Sequence, residues 1–231
     1  MFEQGSDQIY RCTAFDRFGW QRHGFGTRAG NPVADVTLRQ IHSAIVLNAH
    51  GLADRQMEGD ALVTADANKR IGVRTADCVP LLLLDCKRKA VAAVHAGWRG
   101  TAAEVAAGTL RKMAADFGTE PGDVHAAIGP CIRVCCYEVG AEVAARFASE
   151  AIRGRNLDLP EANRRLLVRA GVGSENIFDS GLCTACQLEQ FFSYRREPSN
   201  PGRLLSVIEI CEESAIFGEW TDTQKHSGKA T

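Results

Sequence analysis

Two apolar runs dominate the middle of the chain, VPLLLL at 79–84 and AVAAV at 90–94, with the charged stretch DCKRK (85–89) between them. Runs this free of polar residues fit strands covered on both faces, and a short charged break between them fits a hairpin. The chain must therefore build a sheet whose centre is buried from two sides. Cys78 stands just before the first run and His95 just after the second. Both are equidistant from the junction of Cys86 and Lys87. A turn centred there predicts that they face each other, with Cβ atoms about 5 Å apart if they share a face. A slip of one residue would send one of them to the opposite face.

Other segments frame this hairpin. RIGVRTAD (70–77), DVHAAIGP (123–130) and RLLSVIEIC (203–211) read as further strands. TAAEVAAGTLRKMAADFG (101–118) reads as a helix: Val105, Thr109, Met113 and Phe117 recur every four residues, Ala102 and Ala106 flank them, and Gly118 is the C-cap. GAEVAARFASEAI (140–152) and EANRRLLVRAGV (161–172) read as two more helices. The mixture predicts an α+β fold of mixed β-sheets flanked by helices, and the hairpin argues against a purely parallel sheet. No Pro/Gly/Ser-rich linker divides the 231 residues, so residues 1–231 read as one domain, with a polar tail at 221–231 expected to fray.

Composition narrows the function. A formal net charge of −1 gives no basic field for nucleic acid. The longest apolar run is far too short to span a bilayer, and the opening MFEQGSDQIY lacks the pattern of a secretory signal, so the expected location is cytoplasmic. In that compartment the nine cysteines are expected to be reduced thiols without structural disulfides.

Cys78 beside His95 admits three readings: a nucleophile with its base, two ligands of a metal such as zinc, or a buried thiol beside a core histidine. HAGWRGT (95–101) then runs from strand end to helix start. Backbone N–H groups there, with Arg99, could bind an anion. CTAC (183–186) is a C-x-x-C. It could be redox-active, or half of a Cys₄ zinc site whose other half is Cys131 with Cys135 or Cys136. No basic or aromatic redox context surrounds it, so buried structural thiols are the expected reading.

Several stretches stand together: HGFGTRAG (23–30), LRQIHSAIV (38–46), GDALVT (59–64), RTADCVPLLLLD (74–85), AVHAGWRGT (93–101), AIGPCIRVCCYEVG (127–140), DSGLCTAC (179–186) and FFSYRRE (191–197), followed by GR (202–203). In this order they strongly resemble the laccase-domain family, first described as multicopper polyphenol oxidases. Its members are assigned as purine nucleoside phosphorylases with adenosine deaminase activity, and some as peptidoglycan editing factors. The resemblance covers nearly the whole chain, from His23 to Cys211. It implies one metal, zinc with copper as the alternative, held by His42, Cys78 and His95. Three protein ligands leave the open fourth position of a catalytic zinc. It also implies a fold similar to the catalytic domain of the cytotoxic necrotizing factor toxins. The chain departs from the family in one place. It passes directly from Arg28 to His42, where relatives carry a longer segment that forms part of the site wall.

Under this resemblance the partners are purine nucleosides (adenosine, inosine, methylthioadenosine) and phosphate, with neither nucleic acid nor membrane. The expected oligomer is a monomer or homodimer. Phosphorolysis needs cations for a dianion, and Arg28, Arg99, Arg195 and Arg196 are the candidates. Deamination needs a proton-shuttling carboxylate, for which Asp77 and Asp60 are the candidates. Two rival readings share the same residues. One is a Cys–His hydrolase or amidase acting on a peptidoglycan precursor. The other is a copper-dependent polyphenol oxidase, disfavoured because only six histidines are present and none forms a His-x-His pair.

Overall fold

A computed structural model describes residues 1–199 and 202–211; the tail expected to fray lies outside them. Six strands form the central sheet, in the order β12(Ile177–Asp179), β9(Val124–Ile128), β7(Val79–Asp85), β8(Ala90–Ala96), β5(Ala61–Thr64), β4(Val46–Asn48). The outer pairs β12–β9 and β4–β5 are parallel and the inner ones antiparallel, so the sheet is mixed. A second sheet is antiparallel, in the order β1(Phe2–Gln4), β2(Tyr10–Cys12), β3(Gln21–Phe25), β13(Leu204–Ile210), β6(Ile71–Thr75). Helices α1(Trp98–Ala102), α2(Val105–Phe117), α3(Ala141–Ala144) and α4(Leu159–Arg169) and a small hairpin, β10(Ile152–Arg153) with β11(Asn156–Leu157), complete the fold. The α+β architecture of mixed sheets flanked by helices is as expected.

The apolar runs are explained by two-sided burial. Leu82, Leu84, Val91 and Ala93 pack with Val73 and Ile208 of the second sheet. Their neighbours Leu81, Leu83, Ala92 and Val94 pack on the other side with Leu110 and Met113 of α2 and Leu167 of α4. All seven residues of β7 and all seven of β8 are buried, so alternation vanishes from the sequence just as it does in a central strand.

The hairpin forms, with a shifted centre. His95 pairs with Pro80 and Asp85 with Ala90, which places the midpoint between Lys87 and Arg88, one residue later than expected. Asp85 is the cause: its Oδ1 accepts from the N–H groups of Lys87 and Arg88 (2.8 and 3.0 Å), closing a four-residue loop. The shift moves pairing by two positions. An even shift preserves faces, so Cys78 and His95 remain on one side as diagonal rather than direct neighbours.

Two helices differ from expectation. The helical segment begins early, at Trp98, and is broken at Glu104, whose φ of 60° is left-handed. Ala102 is exposed as a result, while Val105, Ala106, Thr109 and Met113 are buried and Phe117 packs at the core edge. Gly118, at φ 71°, ends the helix as expected by donating to the carbonyls of Ala114 and Met113. Residues 140–152 form only the short α3 before the chain turns into β10, because the β10–β11 hairpin, with Gly154 at φ 62°, takes over the second half. Helix α4 begins at Leu159, capped by the Asp158 side chain accepting from the N–H of Glu161.

Candidate metal centre and its cavity

The open ends of β6, β7 and β8 meet the loop 38–45, and the candidate ligands gather there. One nitrogen of His42, one of His95 and Sγ of Cys78 lie within 4.8 Å of one another. The two imidazoles meet edge-on, with ring centroids 4.9 Å apart at 74°. His42 comes from a loop rather than a strand and adopts a left-handed backbone, φ 59°.

Asp60, just before β5, organises this corner and is fully buried. Its Oδ1 lies 2.7 Å from His95 Nδ1. An ionised carboxylate only accepts, so Nδ1 carries the hydrogen and Nε2 is left to act as a ligand. Asp60 also accepts from the N–H of His42 (3.0 Å), the N–H and hydroxyl of Ser43 (2.6 and 2.7 Å) and, more weakly, the N–H of Ile41 (3.3 Å). One carboxylate thus sets the imidazole of one candidate ligand and the backbone of another. Burial works against its charge, but the bonds from His95 and Ser43 outweigh burial and hold the carboxyl down at about 2. The same opposition acts on its neighbours. Burial would lower His95, yet Asp60 and Cys78 raise it to about 9. Burial would raise Cys78, yet hydrogen bonds with His42 and His95 bring the thiol down to about 6. The two imidazoles thus favour the thiolate form of Cys78 over the thiol.

The donor set fits a metal. Two imidazoles and a thiolate are zinc ligands, and the Asp60–His95 pair is the carboxylate support that zinc-binding histidines use. Gly97 keeps the space clear: a Cβ there would lie 3.0 Å from Cys78 Sγ and 3.1 Å from His42 Cδ2. Its φ of −72° suits any residue, so the requirement is steric. Gly97→Ala is expected to weaken metal binding by about 10–100-fold, the range for disturbing a ligand's support. Competition with a chromophoric chelator measures this, and an unchanged affinity would show that the two ligands yield to the methyl group.

The ligands open onto a cavity of about 670 Å³, within the range of small-molecule sites. Its wall carries Trp98, Tyr137, Tyr194 and several arginines. Of the four arginines proposed from sequence, Arg99 and Arg195 line it. Arg99 lies over the Trp98 ring at 4.4 Å, and Arg195 donates to the carbonyl of Glu138 (2.9 Å). Arg28 and Arg196 are placed elsewhere. Arg28 pairs with Glu197, donates to the Phe191 carbonyl (3.0 Å) and lies over the Phe192 ring. Arg196 donates to the Ala185 carbonyl (3.2 Å). Both hold loops and are absent from the cavity lining. The expected helix N-terminus is a helix of only five residues, too short to add much of a dipole.

The two carboxylates also differ from the expected roles. Asp60 supports the ligands from behind and does not line the cavity. Asp77 does, at φ 85°, but its carboxylate accepts from Thr184 Oγ1 (2.6 Å), Ser193 Oγ (3.0 Å) and the N–H of Arg195 (2.7 Å). It ties three loop residues to the strand end that carries Cys78.

Arg74 was missed in the sequence. It lines the cavity, and its Nε is buried with no hydrogen-bond partner in the protein. Gln40 clamps its backbone, donating to the Arg74 carbonyl (2.7 Å) and accepting from its N–H (2.8 Å). The available signal was an arginine inside an otherwise apolar strand, four residues before the cysteine. Leu38 and Gln40 also show that the short segment after Arg28 still supplies part of the wall.

A family model described as multi-copper polyphenol oxidoreductase laccase matches residues 21–211. The chain belongs to this family. Its relatives carry the names of nucleoside-processing enzymes. The chain is 40% identical over 190 residues to a purine nucleoside phosphorylase of Deinococcus radiodurans, covering 79% of this chain and 72% of that one. It is 42% identical over 165 residues to the adenosine deaminase RL5 of an unknown prokaryotic organism, covering 66% and 63%. Among solved structures, YlmD from Geobacillus stearothermophilus matches with a TM-score of 0.81 at 28% identity, over 91% of this chain and 99% of that one. Among the described residues, no helix is long and apolar enough to cross a membrane.

Proposed function

We propose that this chain is a zinc-dependent purine nucleoside phosphorylase with adenosine deaminase activity, working in the cavity above His42, Cys78 and His95. One observation carries the reading: an open three-ligand cluster and an unpartnered buried arginine nitrogen, Arg74 Nε, share one cavity. A cluster of this kind suits a catalytic metal, and a buried, unpartnered guanidinium nitrogen on a cavity wall suits an anionic substrate. The names of the relatives support nucleosides as the organic substrate.

His42, Cys78 and His95 would hold the metal, with Asp60 fixing the tautomer of His95. A zinc ion in such a site supplies Lewis-acid polarisation. Arg74 and Arg99 bind phosphate, Arg195 holds the Tyr137 wall, and Trp98, Tyr137 and Tyr194 supply flat surfaces against which a purine can stack. Zinc suits the donors better than copper. A blue-copper centre adds an axial methionine or amide to the same set. No methionine lines the cavity, and the Gln40 amide is committed to Arg74.

The test is product analysis of zinc-loaded protein with adenosine, with and without phosphate. Adenine and ribose 1-phosphate formed only with phosphate, and inosine formed without it, are the expected products. No turnover of any nucleoside by protein with zinc bound would overturn the reading. Arg74→Gln refines it. A charge-assisted hydrogen bond contributes about 1.5–3 kcal/mol, so KM for phosphate is expected to rise about 10–100-fold while deamination changes little. Equal losses in both reactions would remove Arg74 from the phosphate site.

A second reading has its own support. A thiolate near two imidazoles, one of them held by Asp60, is also the arrangement of a cysteine hydrolase. Under that reading the substrate is a peptidoglycan precursor. Activity would then survive chelation and be lost on alkylation of Cys78.

A further inference from the structure

Four sulfurs converge on two loops beside the cavity wall. Cys135 Sγ lies 3.6 Å from Cys183 Sγ and 3.6 Å from Cys186 Sγ, and Cys136 Sγ lies 3.3 Å from Cys186 Sγ. All four lie within 4.8 Å of one another. None of them lines the cavity. The expectation that CTAC holds buried structural thiols is therefore wrong for half of the group. Cys183 is buried and Cys136 partly so, but Cys135 and Cys186 are exposed. Cys131, the partner considered from sequence, is buried outside the cluster and gives its carbonyl to the N–H of Thr184 (3.0 Å).

Hydrophobic packing does not explain thiols gathered at the surface. The separations also exceed the ~2 Å of a disulfide. They are close to the ~3.8 Å edge of a sulfur tetrahedron around zinc, with Zn–S near 2.3 Å. The turns suit it. The N–H groups of Cys136 and Tyr137 both bond to the Arg133 carbonyl, and those of Cys186 and Gln187 to the Cys183 carbonyl. Two arginines stand beside the turns, Arg195 at the Cys136 carbonyl and Arg196 at the Ala185 carbonyl. Their charge offsets the net −2 of a zinc tetrathiolate.

We propose that Cys135, Cys136, Cys183 and Cys186 form a closed tetrathiolate site for a structural zinc ion, separate from the His42–Cys78–His95 cluster. Zinc replaces the four thiol hydrogens, which leave as protons, and no oxidant is involved. The ion ties the loop around 131–138 to the loop around 180–187. The first carries Ile132 and Tyr137 into the cavity lining. The second carries Thr184, whose hydroxyl bonds Asp77 beside Cys78. The site thus staples one wall of the cavity in place. This inference stands whether or not the chain acts on nucleosides.

The test is zinc content of the full chain, purified under reducing conditions and saturated with zinc, by elemental mass spectrometry. Two zinc ions per chain are expected, falling to one in Cys135→Ser/Cys186→Ser and to one in His42→Ala/His95→Ala. A second measurement needs no variant. Cys135 and Cys186 are exposed, so as free thiols they are open to alkylation. In zinc-saturated wild type they are expected to resist iodoacetamide until a strong chelator is added. Zinc content unchanged by the serine pair, iron in place of zinc, or rapid alkylation of both cysteines in the saturated protein would overturn the proposal.

Discussion

Under the proposed function, Cys78→Ala is expected to lower zinc affinity at the cavity by about 10²–10³-fold and to abolish nucleoside turnover. Zinc in a four-ligand site is bound by about 10–16 kcal/mol, which is about 2.5–4 kcal/mol for each ligand. Cys78 is the only anionic member of its cluster, the others being His42 and His95, so its share belongs at the upper end. Competition titration with a chelator gives the affinity, and chromatography of the adenosine reaction gives the turnover. The variant alone does not separate a metal ligand from a nucleophile, because both readings need the thiolate. Chelation of wild type does. If turnover is lost on removing zinc and returns with zinc, Cys78 is a ligand. If turnover survives chelation, Cys78 is a nucleophile and the zinc-dependent reading fails.

Asp60→Asn is expected to damage the metal centre and the fold together. The carboxylate is fully buried and accepts from His95, His42 and Ser43, twice from the last. An amide offers one oxygen and sets its NH₂ against the backbone N–H of His42 or those of Ile41 and Ser43, which can only donate. At least two buried donors then lose their acceptor, at about 1–3 kcal/mol each, for a net loss of about 3–5 kcal/mol. In a chain of this size that is roughly 6–20 °C in Tm. Loosening His95 is expected to cost a further 10–100-fold in zinc affinity. The pH dependence carries its own signature. The folded protein holds this carboxyl at about 2, below the ordinary 3.8. The stabilisation is therefore full above about pH 4 and is lost as pH falls toward 2. The Tm gap between wild type and variant is expected to be widest near neutrality and to narrow below pH 4. A gap that stays constant across that range would show that Asp60 contributes packing rather than charge.

The sequence by itself determined the hairpin at the centre of the molecule. Two continuous apolar runs rich in Val and Leu fit strands buried on both faces, and the charged break between them fits a short loop. It placed Cys78 across from His95 on condition that they share a face; the two-position shift in pairing preserves parity and keeps them together, whereas their direct opposition was lost to the Asp85 turn. The resemblance, not spacing, supplied His42. Tertiary structure decided the rest, since local periodicity registers only residues that share an element. Asp60 looked like a proton shuttle and became the support of His95 and His42, because packing seals it from the cavity. Arg28 and Arg196 looked like phosphate ligands, but loop closure turned them toward Glu197 and the Ala185 carbonyl. Arg74 emerged only when the Gln40 clamp set its backbone at the cavity wall. Cys135 and Cys136 met Cys183 and Cys186 because Cys131 bridges Cys183 as their loops pack side by side, a juxtaposition of segments nearly fifty residues apart that only the packed sheet ends could impose.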